Sequence, residues 1–236
     1  MVSKLGEYGN FSVSEIYKLI KAKINKQVIL HCAFCLLAKR LVGKPIKTII
    51  DVGAHNGGFS RGAEFIFPNA KIYAFEPTKL CSKIKGKNIK AYNIGLWGES
   101  GFGTFYGSYN LDGTIDYDGS FFKNIQANKK YKKLNIPRKR FDELDIKIEK
   151  PCFVKIDTEG AELEVLKGFG NKLKEVDVIQ LEILYNDTNN LDKIVKLLRN
   201  YGFNGMIQPI TTWRNNMPMP PDLIFFRDNL KWKPKA

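Results

Sequence analysis

The chain has 236 residues and is 44% apolar, with 16 Phe and 10 Tyr, which excludes a mostly disordered chain and supports one good-sized α/β domain with an extension. Its 38 basic residues against 24 acidic ones give a net charge of +14. The excess sits in two acid-free segments, 18–47 and 123–140, with eight basic residues each, and such blocks favour anionic partners: phosphate groups, nucleic acid, acidic glycans or a lipid surface.

The first residues lack the charged start and apolar run of a secretory leader, so a cytoplasmic chain is expected. Residues 12–42 read as one or two helices, with Ile16, Leu19, Ile20 and Ile24 at helical spacing. The apolar stretch 28–38 is shorter than the ~20 residues a spanning helix needs; it predicts a buried helix, or one resting peripherally on a membrane surface. Cys32 and Cys35 have no second pair at metal spacing and read as buried thiols. His31, in the same run, reads as a structural residue of the helix. Gly43-Lys44-Pro45 closes this N-terminal helical extension, residues 1–46, and a second unit is expected over 47–236.

From residue 47 strands and helices alternate. Strands are predicted at 48–52, 71–75, 89–94, 152–156, 176–183, 205–208 and 223–226, and helices at 59–67, 160–169 and 191–201. That alternation predicts an α/β fold with a doubly wound, mostly parallel sheet. The last two strands are close in sequence and are expected to pair antiparallel at one edge. Residues 98–150 break the pattern; they are rich in glycine and aromatics and contain the second basic block. A stretch this long inside a domain is usually a functional lid or insertion.

Open α/β sheets bind ligands beyond the carboxyl ends of their strands. The first strand ends in Asp51-Val52-Gly53-Ala54-His55-Asn56-Gly57-Gly58, where Gly53 and Gly57 let the backbone pass close to a ligand and His55 lies in the same loop. The second strand ends in Glu76-Pro77, and a carboxylate there can accept two hydrogen bonds from a ribose diol. Gly95-Leu96 can form a flat slot for a base. These are the parts of a nucleoside pocket. The Gly-x-Gly-x-x-Gly of a dinucleotide site is absent, which argues against a nucleotide-dependent oxidoreductase. An acidic residue before the first glycine suits a ligand with a positive end, such as S-adenosylmethionine, which has an ammonium, a sulfonium and a ribose diol but no phosphate.

The segments Asp51 to Gly57, Phe75-Glu76-Pro77 and, above all, 155–168 (KIDTEGAELEVLKG) resemble the FkbM family of S-adenosylmethionine-dependent methyltransferases, over about residues 47–227. The resemblance implies the class I methyltransferase fold, a seven-stranded Rossmann-like sheet with an antiparallel terminal strand. It also implies O-methylation, often of sugar hydroxyls in glycans or of hydroxyls on natural products. On this reading Asp51, Gly53, His55, Gly57, Glu76, Pro77, Gly95 and Leu96 hold the cofactor, and Asp157, Glu159 and Glu182 face the acceptor.

Asp157 and Glu182 end neighbouring strands, so they can share a Mg2+ or Mn2+ ion, with Asn186 nearby, or supply a general base. Lys155 points to the same side as Asp157 and can neutralise the pair. Glu162 and Glu164 read as solvated or capping residues of a first helical turn. Tyr106, Tyr109, Asn110 and Asp112, in the loop 98–128, are the candidate acceptor surface, since aromatics beside hydrogen-bonding groups suit a sugar ring. The rival reading, a nucleic-acid methyltransferase or basic nucleic-acid-binding protein, rests on the basic blocks but finds no RNA-binding motif to support it.

Overall fold

The computed structural model describes residues 26–109, 115–120, 131–183, 188–209, 213–214, 217–218 and 222–227. It opens with a helix, α1 (Lys26–Val42), followed by β1 (Thr48–Val52), α2 (Gly58–Ile66), β2 (Lys71–Phe75) and β3 (Ile89–Tyr92). Then come β4 (Gly95–Leu96), β5 (Gly101–Tyr109), β6 (Ile115–Ser120), β7 (Tyr131–Lys139), β8 (Cys152–Ile156), α3 (Glu162–Phe169) and β9 (Val178–Glu182). The chain closes with α4 (Thr188–Asn200), β10 (Gly205–Ile207), the short pair β11 (Trp213–Arg214) and β12 (Met217–Pro218), and β13 (Asp222–Phe226).

The main sheet has seven strands in the order β10-β13-β9-β8-β1-β2-β3. The strands β3, β2, β1, β8 and β9 pair in parallel. β13 runs antiparallel to both β9 and β10, so β10 is the edge strand and β13 is inserted beside it. The two last long strands thus pair antiparallel, as their sequence positions predict.

Both faces of the sheet are covered, and the pleat decides which side chain meets which helices. Ile49, Ile72, Phe153, Val178, Ile224 and Phe226 pack with Phe34, Cys35, Ala38 and Leu41 of α1 and Phe59 and Ala63 of α2. Ile50, Val52, Val154, Ile156, Ile179, Leu181 and Phe225 pack with Val165, Leu166 and Phe169 of α3 and Ile194 and Leu198 of α4. The second face also receives Phe141, Ile146 and Ile148 from the insertion. Burying each Val, Leu, Ile or Phe side chain among these contributes about 1.5–3 kcal/mol. The described part of the N-terminal extension is therefore fused to the domain by a shared core. Cys32 and Cys35 are buried free thiols in it, and burial raises both of their pKa values, Cys32 to about 12.

The insertion is a sheet of its own, in the order β4-β7-β5-β6. β5 and β7 pair antiparallel over their length, from Gly101 opposite Arg138 to Ser108 opposite Tyr131. Along β5 the period-two pattern turns Phe105 inward, where it is buried, while Phe102 is exposed. Among the described residues no helix is long and apolar enough to cross a membrane.

Candidate active site

A cavity of about 310 Å3 lies beyond the carboxyl ends of β1, β2, β8 and β9, at the low end of the range for small-molecule sites, roughly 300–1,000 Å3. Of the residues singled out in the sequence, Gly53, His55, Glu76, Pro77, Gly95, Leu96, Asp157, Glu159 and Glu182 all line it.

Gly53 is where β1 and β8 come together. Its φ is +75°, and a Cβ there would stand 1.8 Å from the Asp157 carbonyl oxygen, so no larger residue fits. Gly57 does not line the cavity; at φ +83° it turns the chain into α2. Two non-glycine residues, His55 (φ 50°) and Glu159 (φ 53°), also occupy the left-handed region, and both border the cavity. Backbone held in this region clusters at ligand sites.

The Glu76 carboxylate is buried and fixed by the backbone. The His55 N–H donates to Oε2 at 2.8 Å and the Thr78 N–H donates to Oε1 at 2.9 Å. The strand end itself is tied down by Asn93, whose side-chain amide donates to the carbonyls of Glu76 and Thr78. Burial raises the Glu76 pKa, opposed by the hydrogen bonds from Thr78 and His55. The carboxylate borders the cavity, and its two acceptor oxygens match the two hydroxyls of a vicinal diol.

Asp51 departs from expectation. It is fully buried and does not line the cavity. The pleat sends it with Ile49 toward α2, where the Ser60 hydroxyl donates to Oδ2 at 2.6 Å and the Lys155 Nζ stands 3.6 Å from Oδ1. Its link to the cavity is Lys155, which lines it. That lysine donates to the Gly53 carbonyl at 3.2 Å and lies 3.0 Å from Asp157 Oδ2. Burial works against its charge, yet Asp157 and Asp51 hold its pKa above the ordinary lysine value.

Asp157 and Glu182 divide one proton between them. Burial, then the Asp157 charge and a hydrogen bond to it, push Glu182 up to about 10. Burial would raise Asp157 too, but the Lys155 charge and hydrogen bonds from Glu182 and Lys155 bring it below the usual carboxylate range. At neutral pH Glu182 is a carboxylic acid donating to an ionised Asp157. Carboxylate oxygens of Asp157, Glu159 and Glu182 lie within 4.8 Å of one another. Such oxygens are suitable donors for Mg2+ or Mn2+. Lys155 already provides a resident cation against Asp157, however, and a divalent ion on the same carboxylate would meet that ammonium's repulsion. The donor set fits a metal poorly.

The remaining expectations meet the structure unevenly. Glu162 takes the capping rather than the solvated alternative: it is buried, and its Oε1 accepts from the Thr158 N–H, the Thr158 hydroxyl and the Gly160 N–H, fixing the loop that carries Glu159. Glu164 pairs with Lys167 at 2.6 Å on the surface. Tyr106 does not reach the cavity, because the pleat turns it away and presents Phe105 instead. The side chain of Tyr109, and Asn110, Asp112 and Asn186, lie outside the described residues. The sequence reading missed Phe105 and His31. His31 is more than a residue of an apolar helix: it borders the cavity, with its ring edge-to-face on Phe59 at 5.7 Å. The period-two pattern of β5 marks Phe105; a polar residue interrupting an apolar helical run was the available signal for His31.

The methyltransferase FkbM domain matches residues 51–204, more than half of the chain. The chain is 31% identical over 160 residues to methyltransferase sdnD of Sordaria araneosa, covering 51% of this chain and 59% of that protein. Its fold is similar to the crystal structure of methyltransferase FkbM from Methylobacillus flagellatus KT, with a TM-score of 0.51 and 14% identity over 91% of this chain and 58% of that one. The chain thus spans about three-fifths of the length of these two relatives. The matched segment runs from the end of β1 to the end of α4 and contains the strand ends, the Glu76 carboxylate and the Asp157–Glu182 pair, and the chain belongs to the FkbM methyltransferase family.

Proposed function

We propose that the chain is an S-adenosylmethionine-dependent O-methyltransferase acting on a hydroxyl of a sugar or glycan. The observation that carries the cofactor half of this reading is Glu76: a carboxylate at a strand tip, each oxygen held by a backbone N–H and opening into a cavity walled by Gly95, Leu96 and Phe105. Its oxygens suit the ribose hydroxyls, and the apolar wall beside it suits a purine. When bound, S-adenosylmethionine supplies a methyl group on a sulfonium. The acceptor half rests on the acidic cluster at the other end of the cavity. Asp157 is ionised and can accept the hydrogen of an incoming hydroxyl, while the Lys155 ammonium and the Glu182 carboxyl hold it in one orientation. The insertion sheet supplies the wall over the nucleoside end and carries Lys132 and Lys133 exposed on β7, which suits an acceptor of anionic character. Lys155 makes a metal ion unnecessary for charge balance.

Incubating the chain with radiolabelled S-adenosylmethionine and a panel of small glycosides, with RNA as the comparison acceptor, tests the reading. Label should transfer to a glycoside hydroxyl, and Glu76→Ala should weaken S-adenosylmethionine binding by about 1–3 kcal/mol in calorimetry. Full binding by the variant refutes the cofactor assignment, and transfer to RNA alone refutes the acceptor class.

A further inference from the structure

His31 is delivered by α1, which lies outside the segment matched by the family domain, yet it borders the same cavity as Asp157 and Glu182. Its Nε2 is 3.6 Å from where a Cβ on Gly58 would stand, so the imidazole lies over the first turn of α2. Burial, then the neighbouring Lys155 charge, lowers its pKa to about 4, with Asp157 opposing and Arg61 adding to the fall. At neutral pH it is an uncharged ring with one N–H to donate and one nitrogen to accept.

The order of the strands gives the cavity a direction. Glu76 and Pro77 follow β2, and Gly95 and Leu96 lie just past β3, so the nucleoside end is on that side. A chain leaving the ribose must run past β1 toward β8 and the start of α2. There it meets two kinds of surface. Asp157, Glu159 and Glu182 present oxygens, which suit the ammonium and sulfonium of the methyl donor, and the ionised Asp157 repels its carboxylate. Lys155 is already engaged by Asp51, Asp157 and the Gly53 carbonyl. On the α1–α2 side stand the first backbone N–H groups of α2, positive by the helix dipole, and the His31 ring above them.

We propose that His31 binds the carboxylate of the amino-acid end of the methyl donor, so that α1 completes the cofactor site rather than merely covering the sheet. The proposal rests on reading the cavity as an S-adenosylmethionine site. Calorimetry on the full chain with two probes separates the two readings. S-adenosylhomocysteine carries the amino-acid end; 5′-methylthioadenosine keeps the nucleoside and thioether and lacks it. His31→Phe keeps an aromatic ring on Phe59 and removes the nitrogens. It should weaken S-adenosylhomocysteine by roughly 10- to 100-fold, the range for a hydrogen bond to a charged group, and leave 5′-methylthioadenosine nearly unchanged. His31→Asn, which restores a donor, should recover part of the loss. Equal loss for both probes, or no loss for S-adenosylhomocysteine in either variant, overturns the role of His31. If the unaltered chain binds neither probe, the cofactor reading itself falls, and this inference with it. If Glu76→Ala weakens both probes while His31→Phe weakens neither, the inference falls alone.

Discussion

Replacing Glu182 by Gln tests the shared proton at the centre of the site. The folded-state pKa of Glu182 is about 10 against an ordinary value of 4.5. A raised pKa means that the folded protein holds a proton which the unfolded chain releases above pH 4.5. Its stabilising effect is complete below that value and is lost as pH rises toward 10. Between those limits one proton of difference changes the unfolding free energy by about 1.4 kcal/mol per pH unit. Glu182→Gln keeps a side-chain donor for Asp157 and removes the titration. From pH 6 to pH 8 the parent should therefore lose about 2.7 kcal/mol relative to the variant, with the variant becoming the more stable as pH rises. Urea denaturation of both proteins at pH 6, 7 and 8, in one buffer of fixed ionic strength, reads this directly. A stability difference that does not change over that range means Glu182 is already ionised at pH 6, and the proton-sharing account of the pair is refuted.

Two further outcomes follow from the same geometry. Gly53→Ala should destabilise the fold by about 2 kcal/mol or more, because it places a Cβ 1.8 Å from the Asp157 carbonyl oxygen at a φ of +75°; an unchanged thermal midpoint would show that β1 and β8 do not approach so closely. Methyl transfer should survive prolonged treatment with a chelator, since Lys155 lies 3.0 Å from Asp157 and supplies the positive charge; activity lost on chelation and restored by Mg2+ or Mn2+ would place a metal on the three carboxylates.

What the sequence could disclose depended on whether a property is local. Glu76 is legible because a strand that ends in an acidic residue before a proline places that carboxylate at the tip whatever surrounds it. The parallel sheet is legible because its central strands are short apolar runs separated by helical spacing. The direction of Asp51 is not, for the same reason: every residue of β1 is buried, both faces are covered, and no alternation shows which face receives the carboxylate. The pleat puts it on the face of Ile49, where Ser60 of α2 meets it. The insertion hides its strands behind glycines, which have low strand propensity, although the inward series Gly103, Phe105, Gly107 follows the required period of two. His31 is the extreme case: a polar residue in an apolar helical run marks the position, but its place at the cavity depends on how α1 packs against α2, which the local pattern does not encode.

The charges of the site set a limit on how it can work. Asp51, Lys155, Gln180 and Glu182 on the parallel strands, and Asp222 at the start of the antiparallel β13, stand on one face of the sheet, with Lys155 opposite both Asp51 and Gln180 in register and Glu182 opposite Asp222. Asp157 follows directly beyond β8. Burial lifts Asp222 to about 6, against the hydrogen bond from Gln180. Were all four of these acids ionised beside one lysine, the cluster would attract a cationic methyl donor strongly, and most strongly before reaction. Positive charge leaves the sulfur as the methyl moves, so such attraction is greater in the ground state than in the transition state and raises the barrier. The proton on Glu182 and the ammonium of Lys155 reduce that excess while leaving the ionised Asp157 carboxylate where a hydroxyl hydrogen must go. Under the proposed reading the buried lysine therefore does more than steady its neighbours: it keeps the cavity acidic enough to bind a cation and accept a proton, but not so acidic that the donor is held in its unreacted state.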